Sequence, residues 1–173
     1  MIRSFRGNSP RVPASAYVDE SAQLIGDVRV GERSSLWLNC SARADINFIE
    51  IGDDSNVQDN SVLHVQGDIP LRIGSRVTLG HSVTAHACTI ADRTLIGMGA
   101  VILDRAVIGE GSIVAAGALV PIGMSVPPRT LVAGVPAKIK RELGDDDLEL
   151  IDRHWQNYVD YIAEYLKEFG GAR

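Results

Sequence analysis

Aliphatic or small apolar residues recur at every sixth position over most of this 173-residue chain, and that period limits the possible folds severely. The series runs Val12, Val18, Leu24, Val30, Leu36, Ala42 and Phe48, and resumes as Ile51, Val57 and Leu63. It restarts at Ile73, Leu79 and Ala85, then continues without a break from Ile90 to Val132. Such a period fits neither a 3.6-residue helix nor the two-residue alternation of a simple strand. It fits a β-solenoid in which each hexapeptide is one short strand plus a corner. Three hexapeptides close a triangular coil, and the aliphatic side chains stack inside it.

Glycine often follows the key position, as at Gly31, Gly52, Gly74, Gly80, Gly97 and Gly109. Small or β-branched residues such as Ser34, Cys40, Ser61 and Ala100 stand two places before the next one. Both suit corners, where bulk clashes and a positive φ is expected. The phase slips between Phe48 and Ile51, around QGDIPLR between Leu63 and Ile73, and between Ala85 and Ile90. Insertions at solenoid corners are where binding loops are expected.

After Val132 the segment LVAGVPAKIKREL leaves the coil, because Pro136 does not suit a ladder position. A helix is expected from Asp145, with Leu148, Ile151, Trp155, Tyr158, Val159, Ile162, Leu166 and Phe169 on one stripe. Asp145, Asp146 and Asp147 suit its first turn, and Gly170 and Gly171 its end. The chain therefore divides into a solenoid, 1–140, and a helical segment, 141–173, that packs on the solenoid or on a neighbouring subunit.

Composition narrows the function classes. With 17 Lys+Arg against 22 Asp+Glu the chain carries −5, which argues against nucleic acid and anionic membrane surfaces as partners. No apolar run approaches the ~20 residues needed to span a bilayer. The N-terminus MIRSFRGNSPRVP has no apolar core of a signal peptide. Cys40 and Cys88 are too few for a disulfide framework. A cytoplasmic location is expected.

Three of the four histidines, His64, His81 and His86, fall close together. His64 follows key residue Leu63 and His86 follows key residue Ala85, one coil plus the insertion later. They should stack on one face of adjacent coils, about 4.8 Å apart in backbone, where two imidazoles can share a metal. His81 comes one place later after its key residue, Leu79, and belongs at the corner or on the adjacent face. In an assembly of parallel solenoids it could meet the other two from a neighbouring chain, giving three ligands and one open position. Arg43 falls one coil before His64, and Asp45, Asn56, Gln58 and Asp59 form a polar cluster beside it.

The segments RAD at Arg43–Asp45, NVQDNSVLH at Asn56–His64 and GHSVTAH at Gly80–His86 resemble the gamma-class carbonic anhydrases and their bacterial relatives. The resemblance covers nearly the whole chain. LIGMGA and AGVPAK match as well, the latter being shared with hexapeptide acyltransferases. It implies a left-handed parallel β-helix of hexapeptide repeats with a C-terminal α-helix, assembled as a homotrimer. Zinc, or iron or cobalt in some members, is implied at each interface, held by His64 and His86 of one chain and His81 of its neighbour. Arg43 and Asp59 are implied to form a salt bridge between subunits, with Asp45 in the same network. Gln58 is implied to contact metal-bound water, Asn56 to line the pocket and Tyr158 to lie near the metal.

The activity this implies is that of a lyase, the reversible hydration of CO2 to bicarbonate. The chain departs from active members in having Ile46 where they carry a glutamate. The short QGDIPLR segment also offers only Asp68 in place of an acidic loop with a shuttle glutamate. Two alternatives stand beside this reading. One is a hexapeptide-repeat acyltransferase using acetyl-CoA, which would share the fold and the AGVPAK exit. The other is a non-catalytic metal-binding scaffold, suggested by the missing glutamates.

Overall fold

The computed structural model of the chain describes residues 1–170. Its short strands stack in parallel into a three-faced β-solenoid of hexapeptide repeats, capped by a C-terminal helix. The first face includes Val62–His64, Thr84–His86, Val101–Ile102 and Leu119–Val120. The second includes Leu71–Ile73, Thr89–Ile90, Val107–Ile108 and Ser125–Val126. Two long strands, Gln23–Val30 and Ser41–Ile51, bend from one face to the other and join both into a single sheet. The third face runs from Tyr17–Val18 through Ser35–Leu36, Asn56–Val57, Thr78–Leu79, Leu95–Ile96 and Ile113–Val114 to Thr130–Ala133. The antiparallel strand Lys138–Glu142 ends it.

The key residues form one continuous core, with Leu24, Leu36, Ala42, Val57, Leu63, Leu79, Ala85, Ile96, Ile102, Ile108, Val114 and Val120 fully buried. Burying each larger aliphatic contributes about 1.5–3 kcal/mol. Phe48, expected in this series, is instead outside. Its ring lies between the guanidinium groups of Arg29 and Arg72, 4.2 and 4.7 Å from its centroid, and Ile49 is buried in the core. The cause is the bend of the long strand: Gly26 pairs with Ala44 but Val28 with Ile49, a three-residue slip, and an odd slip exchanges the two faces of a strand.

Corner geometry separates two roles that the sequence merges. The left-handed conformation occurs three places after the key residue, at Arg33, Asn39, Asp54, Asn60, Arg76, Ser82, Arg93, Arg105 and Arg129 as well as Gly99, Gly111, Gly117 and Gly123. Glycines directly after the key residue have no positive φ. They are there because the next coil passes too close for a side chain: a Cβ on Gly97 would lie 2.4 Å from the Ala116 amide nitrogen. Inside the corners, buried serines link coil to coil. Ser55 Oγ, for example, donates to the Gly74 carbonyl and accepts from the Val77 amide, so its buried hydroxyl is satisfied.

The helix spans Asp145–Phe169, with Asp145, Asp146 and Asp147 in its first turn and Gly170 at its C-cap. Gly171, also expected to end it, lies outside the described residues. It packs along the third face. Leu148 and Ile151 meet Leu95, Ile113 and Leu131 at one end, while Ile162, Tyr158 and Tyr165 meet Tyr17 and Trp37 at the other. Arg93 grips Asp152 through two hydrogen bonds, of 2.8 and 2.5 Å. Phe169, expected on the packed stripe, is 64% exposed, whereas Tyr165 sits edge-on to Trp37 at 4.7 Å. No helix among the described residues is long and apolar enough to cross a membrane.

The two glycine roles predict opposite tolerances. Gly97→Ala forces backbone against backbone and should cost about 1–3 kcal/mol or more in denaturant unfolding. Gly99→Ala meets open space at φ +68° and should cost only about 1–2 kcal/mol, the strain of a left-handed alanine. A larger loss for Gly99→Ala than for Gly97→Ala would contradict this assignment of roles.

Candidate functional site

The first face carries the densest chemistry. Its register sets His64 directly between Arg43 on the preceding coil and His86 on the following one, as the coil arithmetic requires. His64 Nδ1 and His86 Nε2 are 3.1 Å apart. The other ring nitrogen of each faces a carboxylate: His64 Nε2 lies 3.2 Å from Asp45 Oδ1, and His86 Nδ1 makes a short contact with Asp104 Oδ1. Arg43 donates to the second oxygen of Asp45 at 2.5 Å. The side chains of His64 and His86 are 19% and 33% exposed, so the pair opens outward from the face.

These contacts constrain the proton positions. A carboxylate accepts, so the imidazole nitrogen facing it carries the hydrogen. Each ring then turns a bare lone pair towards the other. Two lone pairs 3.1 Å apart repel unless a proton or a cation stands between them. Burial pushes His64 below its ordinary pKa, against the opposing pull of Asp45, which favours the neutral imidazole. For Asp45, burial acts to raise the pKa, but the hydrogen bonds from Arg43 and His64 outweigh it and hold the carboxyl below its usual range.

The remaining candidates lie elsewhere. His81 is at the corner, its Nδ1 2.9 Å from Asp59 Oδ2, and its side chain is 46% exposed. It joins neither of the other histidines within the chain. Arg43 pairs with Asp45 in the same chain, and not with Asp59. On the third face Gln58 Nε2 donates to Asn56 Oδ1 at 3.1 Å, and Asn56 Nδ2 donates to Thr78 Oγ1 at 2.9 Å; all three residues are buried. Tyr158 packs edge-on to Trp37 at 5.3 Å, and burial followed by the charge of Asp59 pushes its phenol up to about 12.

Two residues were missed by the sequence reading. Thr78 carries no signal of its own, but Asp104 does: Ala85 pairs with Ile102, so Asp104 lies one place past the position opposite His86 on the next coil, within reach of the imidazole. Among the described residues, no group of three or more His, Cys, Asp or Glu within the chain is arranged to hold a metal.

Stacked hexapeptides with a polar outer face define the class, a parallel β-solenoid of hexapeptide repeats. The family described as "Bacterial transferase hexapeptide (six repeats)" matches residues 87–121. A Geobacillus kaustophilus protein named carbonic anhydrase is 44% identical over 96% of this chain and 91% of its own length. A Bacillus cereus structure titled as a putative acetyltransferase superposes with a TM-score of 0.93 at 42% identity, covering 95% of each chain. A structure of a hexapeptide transferase family protein from Anaplasma phagocytophilum gives 0.91 at 39% identity, covering 95% of this chain and 98% of that one. The chain belongs to the hexapeptide-repeat, left-handed β-helix superfamily and is related both to gamma carbonic anhydrases and to acyltransferases.

The expected carbonic anhydrase activity is overturned by these findings. Structures that superpose over nearly the whole chain are titled as acetyltransferase and transferase. A cluster of three metal ligands within the chain is also absent among the described residues. Within the chain His81 faces Asp59 and not the other two rings, as its corner position requires. The zinc and homotrimer that accompanied the lyase reading gain no support here either.

Burial pushes both thiols, Cys40 and Cys88, up to about 12. Both should resist a thiol reagent in the native protein at pH 8 and react once it is unfolded. A folded pKa above the unfolded value means that this contribution to stability is complete below about pH 9. It is lost as pH rises towards 12. Rapid labelling of either thiol in the folded state would contradict the burial.

Proposed function

We propose that this chain is a metal-binding scaffold of the hexapeptide-repeat superfamily, in which His64 and His86 hold a divalent transition metal on the first face. One observation carries the reading: two imidazoles, each facing a carboxylate through one ring nitrogen, bring their remaining ring nitrogens to 3.1 Å of each other. Two nitrogen ligands at about 2.0–2.1 Å around a tetrahedral zinc lie about 3.3 Å apart, so the pair fits such an ion with little movement. Relatives named as carbonic anhydrases, two of them as gamma carbonic anhydrases, support a metal cofactor in general.

Two ligands do not fill a coordination shell. The outward opening of the pair, the exposed His81 at the corner, and the exposed apolar Leu38, Val62 and Met98 support completion by a second copy of the chain, with His81 as its contribution. Arg43, Asp45 and Asp59 then position the imidazoles. Asn56 and Gln58 shape the adjoining wall, and Tyr158 anchors the helix beside it. Free buried thiols at Cys40 and Cys88 suit a reducing cytoplasm.

The metal-free protein titrated with Co2+, followed by its visible absorption bands and then by competition with Zn2+, is expected to take up one equivalent per chain. His64→Ala and His86→Ala should abolish uptake, and His81→Ala should weaken it while lowering the solution mass. Unchanged uptake in the first two variants would end this reading.

A second reading has its own observation. His81 and Asp59 form an oriented pair in which His81 Nε2 has no partner among the described residues, the arrangement of a general base, and similar structures titled as a putative acetyltransferase and a hexapeptide transferase family protein support it. Saturable acetyl-CoA binding with acyl transfer lost in His81→Ala would favour it over the scaffold.

A further inference from the structure

We infer that Asp104 is a positioning residue for the histidine pair: it fixes the tautomer of His86 and thereby sets the affinity of the site for metal. The inference rests on the metal-binding reading above and adds a residue to it. Asp104 Oδ1 faces His86 Nδ1 in a short contact, and it comes from the next coil at the start of a corner, between Ile102 and the left-handed Arg105. Its side chain is only 24% exposed, so water does not readily replace it as the acceptor.

The consequence follows from imidazole chemistry. A neutral imidazole carries one hydrogen, on Nδ1 or on Nε2. With Nδ1–H donating to Asp104, Nε2 is left bare and points at His64 Nδ1, 3.1 Å away. With the hydrogen on Nε2, the ring would turn an N–H towards the site and repel a cation. The carboxylate therefore selects the ligating form and holds the ring plane.

Asp45 does the same for His64 through its Nε2. The two carboxylates flank the pair from opposite sides along the solenoid axis, one before His64 and one after His86. Each supplies negative charge behind a ligand ring, which raises ligand basicity. Removing such an outer partner commonly costs about 10–100-fold in metal affinity.

The test uses the full chain and two readouts. Long-range 15N–1H spectra of metal-free protein report the His86 tautomer, identified by the signals lost in His86→Ala. The wild type is expected to carry its hydrogen on Nδ1, whereas Asp104→Asn should shift the population towards Nε2–H. Zn2+ competition should then show binding weakened by about 10–100-fold in Asp104→Asn, with Asp104→Glu recovering part of the loss. Equal thermal unfolding of the wild type and both variants separates positioning from a folding defect.

Wild-type affinity in Asp104→Asn, beside a wild type that binds metal through His64 and His86, would overturn the inference alone. A wild type that binds no Zn2+ would overturn the metal-binding reading and the affinity claim with it. In that case the tautomer spectrum still decides whether Asp104 orients His86.

Discussion

Every feature of this molecule depends on the distance at which one coil rests on the next. Parallel strands stack about 4.8 Å apart, and the backbone closes that gap so tightly at some corners that only glycine fits, as at Gly31, Gly52, Gly74 and Gly97. The same spacing buries an uninterrupted column of leucine, isoleucine and valine. It also lets buried serines pass hydrogen bonds from coil to coil. A side chain's neighbours are thus set by its place in the hexapeptide, not by its neighbours in sequence.

The histidine pair is a product of that constraint. Arg43, His64 and His86 occupy equivalent places on three successive coils, so their side chains must meet on the outer face. The carboxylates of Asp45 and Asp104 then decide which nitrogen of each ring is bare. Neither ring alone would be notable on a polar surface. Their convergence brings two ring nitrogens to 3.1 Å of each other, the feature on which the proposed metal site rests. His81 lies one corner away, paired with Asp59, and joins neither ring within the chain.

Much of this was legible in the sequence because a period of six is a strong geometric instruction. It specifies the inward positions from Ile90 to Val132 without error, and it puts His64 over His86. Legibility fails where the period does. Phe48 looked like a core residue, but the strand bend near Gly26 turns it outward between two arginines and gives its place to Ile49. The glycines after the key residues looked like sites of positive φ. Their real constraint is the approach of the next coil, which no single hexapeptide reveals. Asp104 is hidden by the missing residue between Ala85 and Ile90, which sets it one place past the position opposite His86 on the next coil. The activity was the least legible part, since a family shares its solenoid and segments such as AGVPAK among different chemistries.

The most direct measurement is an anomalous-scattering crystal structure of protein crystallised with Zn2+ and recorded on both sides of the zinc absorption edge. The account predicts an anomalous peak bonded to His64 Nδ1 and His86 Nε2, at about 2.0–2.1 Å from each, with Asp45 and Asp104 still hydrogen-bonded to the far sides of the two rings. A map with the two rings in direct contact and the anomalous signal absent, or confined to other residues, would contradict it.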